Sequence, residues 1–170
     1  MMLLGNYFLN INKNYKNLPF SGISFDTKSI KKNNIFFAIK GNTVDGNKFI
    51  QNAIKKGSKI IVTEKKANQF KNGILYIHTK NVRKLLAETA FKIYDKIPKN
   101  LIAVTGTNGK SSVADFYYQI LELNNIKVAT IGTLGVKSKN INLNLSNTTV
   151  DPIKLAKILS YLKSQKIENI

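Results

Sequence analysis

An α/β fold in two consecutive domains is what this 170-residue sequence predicts, and three observations predict it. Short runs rich in β-branched and aromatic residues alternate with stretches that carry helical apolar periodicity. A break marked by proline, Lys96-Ile97-Pro98-Lys99-Asn100, separates a helical stretch from a new apolar run. Beyond it, Leu101-Ile102-Ala103-Val104 leads into a glycine loop and then an amphipathic helix, the strand–loop–helix order of a doubly wound parallel sheet. The expected domains are residues 1–97 and 98–170.

In the first domain, Gly22-Ile23-Ser24-Phe25 is a short strand candidate and Asn34 to Ile39 a stronger one, ended by Gly41. Asp45 is placed to cap a helix over Gly46 to Lys56, with Phe49, Ile50, Ala53 and Ile54 inward and Gly57 as its left-handed stop. Lys59 to Thr63 and Ile74 to Ile77 read as strands. A helix over Asn81 to Ile97 follows, with Val82, Leu85, Leu86, Thr89 and Phe91 or Ile93 facing the core.

In the second domain, Leu101 to Val104 reads as a buried strand. The helix after the loop is expected to bury Val113, Phe116, Tyr117, Ile120 and Leu121, which share one face. Lys127 to Ile131 is a further strand, turned by Gly132-Thr133-Leu134-Gly135. Asp151-Pro152 opens a last helix by N-cap and N1 proline, with Ile153, Leu155, Ala156, Leu159 and Leu162 on its apolar side. A parallel sheet needs more than two strands and both faces covered. The second domain therefore reads as incomplete, and the chain as part of a longer protein.

The loop itself, Thr105-Gly106-Thr107-Asn108-Gly109-Lys110-Ser111-Ser112, carries chemistry. Its glycines let successive amides converge on an anion, and the helix N-terminus adds the positive end of its dipole. Lys110 is placed to reach the terminal phosphates of a nucleoside triphosphate, and the Ser111 hydroxyl to ligate Mg²⁺. The common phosphate-loop consensus requires glycine at position 104, where Val104 stands, so the loop is a shorter variant.

Composition narrows the function classes. The net charge is +18, yet Arg83 is the only arginine and the lysines are scattered in ones and twos, so nucleic acid is not the expected partner. No apolar run approaches the ~20 residues a bilayer crossing requires. Met1 to Asn10 lacks the basic start and cleavage site of a signal peptide, and the absence of cysteine fits a cytoplasmic protein. His78, the one histidine, is assigned no role.

With those residues in hand, the chain resembles the Mur ligases, the ATP-dependent amide ligases of peptidoglycan precursor synthesis. The resemblance covers Ile23 to Lys28, Asn34 to Gly41, Asp45-Gly46 with Phe49-Ile50 and Ala53, the loop, Gly132 to Gly135, and Asn147-Thr148-Thr149-Val150-Asp151-Pro152. The Asn-Thr-Thr-x-Asp-Pro element after Gly-Thr-x-Gly is similar to the branch that adds the third amino acid. The branch that adds the dipeptide stays open as an alternative. Ser111-Ser112 stand where the family has two threonines, and Val150 where it has proline. The family's Glu-Ala-Ser-Ser-His motif, carbamylated lysine and C-terminal domain have no counterpart within residue 170.

The resemblance implies a first domain that binds a uridine nucleotide and a central ATP-binding domain. The substrates would be ATP with Mg²⁺, a UDP-N-acetylmuramoyl-dipeptide and an amino acid, diaminopimelate before lysine. ATP would activate the substrate carboxylate as an acyl phosphate, which the incoming amine attacks. Gly106, Thr107, Asn108, Gly109, Lys110, Ser111 and Ser112 would hold the nucleotide, with Lys110 catalytic. Phe25, Thr27, Asn42, Thr43 and Val44 would line the uridine side, and Asn147, Thr148 and Thr149 the sugar-peptide. Thr27 equally fits a local turn, Asn42-Thr43 an ordinary loop, and Thr148-Thr149 the approach to the Asp151 cap. The expected state is a monomer without membrane or nucleic-acid partners, and the present chain is expected to be inactive alone; a purely nucleotide-binding role is the rival reading.

Overall fold

The computed structural model describes residues 1–41, 44–66, 69–145 and 150–170. It divides into two compact units, Met1–Ile93 and Tyr94–Ile170.

The first unit opens with a small antiparallel pair, β1 (Met2–Leu3) with β2 (Pro19–Phe20). Its main sheet is built from β3 (Gly22–Ser24), β4 (Asn34–Phe37), β5 (Ile60–Thr63), β6 (Phe70–Lys71) and β7 (Ile74–His78), in the order β3-β4-β5-β7-β6. The first four are parallel, with Ile23 beside Ile35, Ile35 beside Ile60, and Ile60 beside Leu75. β6 is an antiparallel edge made by the hairpin through Asn72 and Gly73, both with positive φ. All four residues of β4 and all four of β5 are buried, as apolar runs covered on both faces require.

Helices α1 (Ile50–Lys55) and α2 (Val82–Ile93) complete this unit. Ala53 of α1, with Ile50 and Ile54, packs on Phe36, Ala38 and Ile61. Asp45 does accept Asn47 N, at 2.9 Å, but what it caps is a 3-10 turn over Gly46–Phe49. The expected helix therefore begins four residues late, and Phe49 is 40% exposed instead of inward. Gly57 ends α1 at φ +93, its amide donating to Ile54 O, the left-handed stop expected of glycine. Val82, Leu86, Thr89 and Ala90 are the buried side of α2, which ends at Ile93 before Pro98.

The second unit contains α3 (Lys110–Leu123), β8 (Ala129–Gly132), β9 (Gly135–Ser138), β10 (Ile141–Leu143) and α4 (Pro152–Ser164). Its named strands form an antiparallel meander, β10-β9-β8. Among the described residues of this unit, parallel pairing is confined to Asn169, which bridges Asn100 on one side and Val128 on the other. The Asp151 carboxylate accepts Lys154 N at 2.9 Å and Pro152 opens α4, as the sequence predicts. Ile158 and Leu162 of α4 pack with Ala129, Val136 and Ile167.

Two expectations fail in this unit. Leu101 to Val104 form no strand: only Asn100 is bridged, and Ile102 makes the last ladder-like bond, donating to Ile170 O at 2.9 Å. Among the described residues this segment is paired on one edge only, by residues 168–170. The apolar side of α3 is also not buried. Val113, Phe116 and Ile120 face solvent, Tyr117 and Leu121 are half-covered, and Tyr118 is the one buried residue of the helix. Among the described residues no helix is long and apolar enough to cross a membrane.

Candidate nucleotide-binding loop

Residues 105–112 lie where the segment after Asn100 turns into α3. Gly106 has φ +147 and Gly109 φ +78, conformations that side chains with a Cβ rarely adopt. A Cβ on Gly109 would meet nothing within 4 Å, and one on Gly106 would meet only Asn108 O, at 3.7 Å. These glycines are therefore required for backbone direction, not for tight packing. Gly109 is the N-cap of α3 and no side chain caps it. The amides of the first helical turn have no intrahelical acceptor, so they remain available to an anion along with the positive end of the dipole.

The Lys110 ammonium folds back over the loop and donates to Gly106 O and, at 3.2 Å, to Thr107 O. The lysine, the glycines and the amides of the first helical turn thus lie together in one exposed turn. Residues 105–112 are all exposed, as a site entered from solvent must be. Among the described residues no three or more His, Cys, Asp or Glu side chains cluster to hold a metal. Oxygen groups in the loop that could meet a cation include the hydroxyls of Thr107, Ser111 and Ser112 and the Asn108 side-chain amide, with Ser111 the first hydroxyl after the lysine.

Sequence reasoning missed what anchors the segment that leads into this loop. The Glu168 carboxylate accepts Lys99 N at 2.8 Å through one oxygen and pairs with Lys163 through the other. Asn169 Oδ1 accepts from the Asn100 side chain at 2.8 Å, and Asn169 Nδ2 donates to Lys127 O at 3.1 Å. The backbone of 168–170 thereby lies between residues 99–102 and 127–129. The Lys163 and Lys99 hydrogen bonds hold the Glu168 carboxyl below its ordinary pKa, against a smaller opposing effect of burial. A carboxyl whose pKa is lowered by folding stabilises the fold above its unfolded pKa, and that gain is lost as pH falls through the folded value. In acid melts the wild type is expected to lose its advantage over Glu168→Gln as pH drops below the usual carboxylate range. A gap that stays constant from neutrality to acid would refute this.

In the first unit, the uridine-side expectations meet mixed geometry. Phe25 follows β3 and is 37% exposed, and Val44 is 52% exposed, its carbonyl accepting Gly41 N at 2.9 Å. Thr27 is half-buried, and its carbonyl accepts Lys56 Nζ at 2.7 Å. The Asp26 carboxylate accepts Lys28 N at 2.9 Å, an Asx turn that accounts for the local shape around Thr27. Asn42 and Thr43 lie outside the described residues, as do Asn147, Thr148 and Thr149. His78 Nε2 sits 3.1 Å from Glu64 O.

A parallel sheet with helices in one unit and a glycine loop opening a long helix in the other define the class: an α/β protein. Comparison with known proteins sharpens this. Residues 19–96 match the family described as "Mur ligase family, catalytic domain", and residues 104–170 match "Mur ligase middle domain". The chain belongs to the Mur ligase family. It is 41% identical over 163 residues to the UDP-N-acetylmuramoyl-L-alanyl-D-glutamate--2,6-diaminopimelate ligase of Rickettsia prowazekii, covering 94% of this chain and 34% of that one. A Clostridium tetani protein of the same description is 40% identical over 147 residues, covering 83% of this chain and 30% of its own length. A solved structure of a ligase so described superposes with a TM-score of 0.79 over 99% of this chain and 34% of that one, at 20% identity, which supports the fold. The chain thus spans about a third of the length of these relatives.

Proposed function

We propose that this chain carries the uridine-substrate and ATP-loop portions of a ligase that adds diaminopimelate to UDP-N-acetylmuramoyl-L-alanyl-D-glutamate. The observation that carries this reading is that relatives so described align over as much as 94% of the chain. The glycine–lysine loop lies inside the matched middle domain. In this reading the amides around Asn108 and Gly109 bind the phosphate tail of ATP, and Lys110 offsets charge on the phosphoryl group as it moves to the substrate carboxylate. That transfer converts a poor leaving group into phosphate, which the incoming amine displaces.

The residues present fit Mg²⁺ held mainly by nucleotide phosphates and water, with the Ser111 hydroxyl as the single protein ligand from the loop. Phe25, Thr27, Asn42, Thr43 and Val44 take the uridine side, and Asn147, Thr148 and Thr149 the sugar-peptide. The reading includes a monomer that works in the cytoplasm without membrane or nucleic-acid partners. A second reading, nucleotide binding without turnover, is favoured for the isolated chain by the bare apolar side of α3.

Calorimetry of the folded 170-residue chain with ATP and Mg²⁺ tests the first reading, and a ligation assay on the same sample tests the second. Saturable heat with no tripeptide product is the expected result. No heat from well-folded material would sink the nucleotide assignment, and tripeptide product would sink the claim that the chain is inactive alone.

A further inference from the structure

A cavity of about 470 Å³ is lined wholly by residues of the first unit, none of which the nucleotide or substrate readings use. That volume is in the range of small-molecule sites. Three walls border it. Tyr76 to Thr79 at the end of β7 form one, and Leu85, Glu88 and Lys92 of α2 form another. The third is the N-terminal segment from Tyr7 to Ile11. On α2, Leu85, Glu88 and Lys92 stand at i, i+3 and i+7, a face beside the buried one of Val82, Leu86, Thr89 and Ala90. The N-terminal wall is fastened in place. Phe8 and Ile11 are buried, Tyr7 meets Phe20 edge-on with ring centroids 5.3 Å apart, and Lys92 Nζ donates to Tyr7 O at 3.1 Å.

The lining indicates the chemistry of the occupant. The chain carries a net charge of +18, but the charges at this cavity are already answered. Glu88 pairs with Lys84 at 3.9 Å, and Lys92 is engaged by the Tyr7 carbonyl. One carboxylate and one ammonium give no surplus of positive charge to draw in a phosphate. His78 Nε2 is held 3.1 Å from Glu64 O. What remains is flat or neutral: the rings of Tyr7, Tyr76 and His78, and the amide side chains of Asn10 and Gln69. Aromatic rings take the faces and edges of other flat rings. Primary amides both donate and accept, as the edge of a heterocycle requires. A purely apolar ligand would leave those amides without partners, which is unfavourable.

We propose that this cavity is a separate site for an uncharged, planar heteroaromatic molecule, from a nucleobase to a nucleoside in size. The sheet order places β5 between β4 and β7, so β7 stands two strand spacings, about 9–10 Å, from β4. The cavity is thus apart from the uridine-side residues, which follow β3 and β4. All its walls belong to the first unit, so it depends neither on the glycine loop nor on the ligase reading.

The test titrates the 170-residue chain with adenosine, which has no phosphate for the loop to hold, while backbone amide resonances are followed. Saturable binding with a Kd of about 0.1 mM or tighter is expected, with the largest shifts at residues 76–79 and 85–92. His78→Ala is expected to weaken it at least about 5-fold through lost ring stacking, and Asn10→Ala at least about 3-fold through a lost hydrogen bond. Both positions are exposed, so the variants should melt like the parent. Adenosine monophosphate is expected to bind no more tightly than adenosine, and excess UDP should not displace it. No saturation below about 1 mM would overturn the proposal. So would shifts confined to residues 105–112, displacement by UDP, or an affinity indifferent to both variants. A monophosphate at least about 10-fold tighter than the nucleoside would make this an anion site and overturn the ligand class. If either variant fails to fold, the shift map of the unaltered chain decides.

Discussion

Replacing Lys110 with alanine is expected to weaken ATP binding by about 100-fold or more without altering the fold, because a charge-assisted contact to phosphate is lost from a preorganised loop. The side chain lies across the turn, bonded to the carbonyls of Gly106 and Thr107. It is exposed, so its removal opens no cavity and melting should be unchanged. Arginine at the same position should restore only part of the affinity, since its planar fork does not present a compact point charge to the turn. Calorimetry with Mg²⁺-ATP measures both variants, and binding of a uridine nucleotide should persist in each. Unchanged ATP affinity in Lys110→Ala would remove the loop from the site. Equal loss of ATP and uridine-nucleotide binding in a folded variant would argue against two separate sites.

The second large effect is structural. Gly135 sits at φ +99 where β8 turns into β9, and a Cβ there would lie 2.2 Å from Leu143 O and 3.2 Å from Leu143 C. Those are backbone atoms of β10, so relief requires opening the β9–β10 ladder, in which Leu143 pairs with Val136. Val136 is fully buried among Ala129, Ile158 and Leu162. Gly135→Ala is expected to destabilise the second unit by about 2–5 kcal/mol, left-handed strain adding to overpacking. Gly73→Ala supplies the contrast. Its φ is +76 but a Cβ there meets nothing within 4 Å, so only strain of about 1–2 kcal/mol is expected. Urea melts of both variants decide the matter, and equal costs would mean the clash at Leu143 is relieved without opening the ladder.

How much of this was legible in the sequence differs by element. β4 and β5 read correctly because their apolar runs are covered on both faces, and α4 read correctly because Asp151 and Pro152 announce its start locally. Periodicity named the apolar side of α3 but could not say what covers it, and the structure leaves Phe116 and Ile120 in solvent. β6, two residues with a lysine, and β9, with Lys137 and Ser138, carry too little apolar alternation to be seen. The loop was legible because its glycines, lysine and serines are contiguous. The anchoring of Lys99 and Asn100 by Glu168 and Asn169 was not, because those residues lie 69 positions apart and their contacts exist only after folding.

That separation has a consequence for biosynthesis. Asn100 leaves the ribosome well before Asn169, and at about 5–20 residues per second the delay lasts roughly 3–14 s. Throughout it the Leu101–Val104 stretch has no β-partner to shield it, a natural target for holdase chaperones. The segment gains its recorded pairing only when translation delivers residues 168–170.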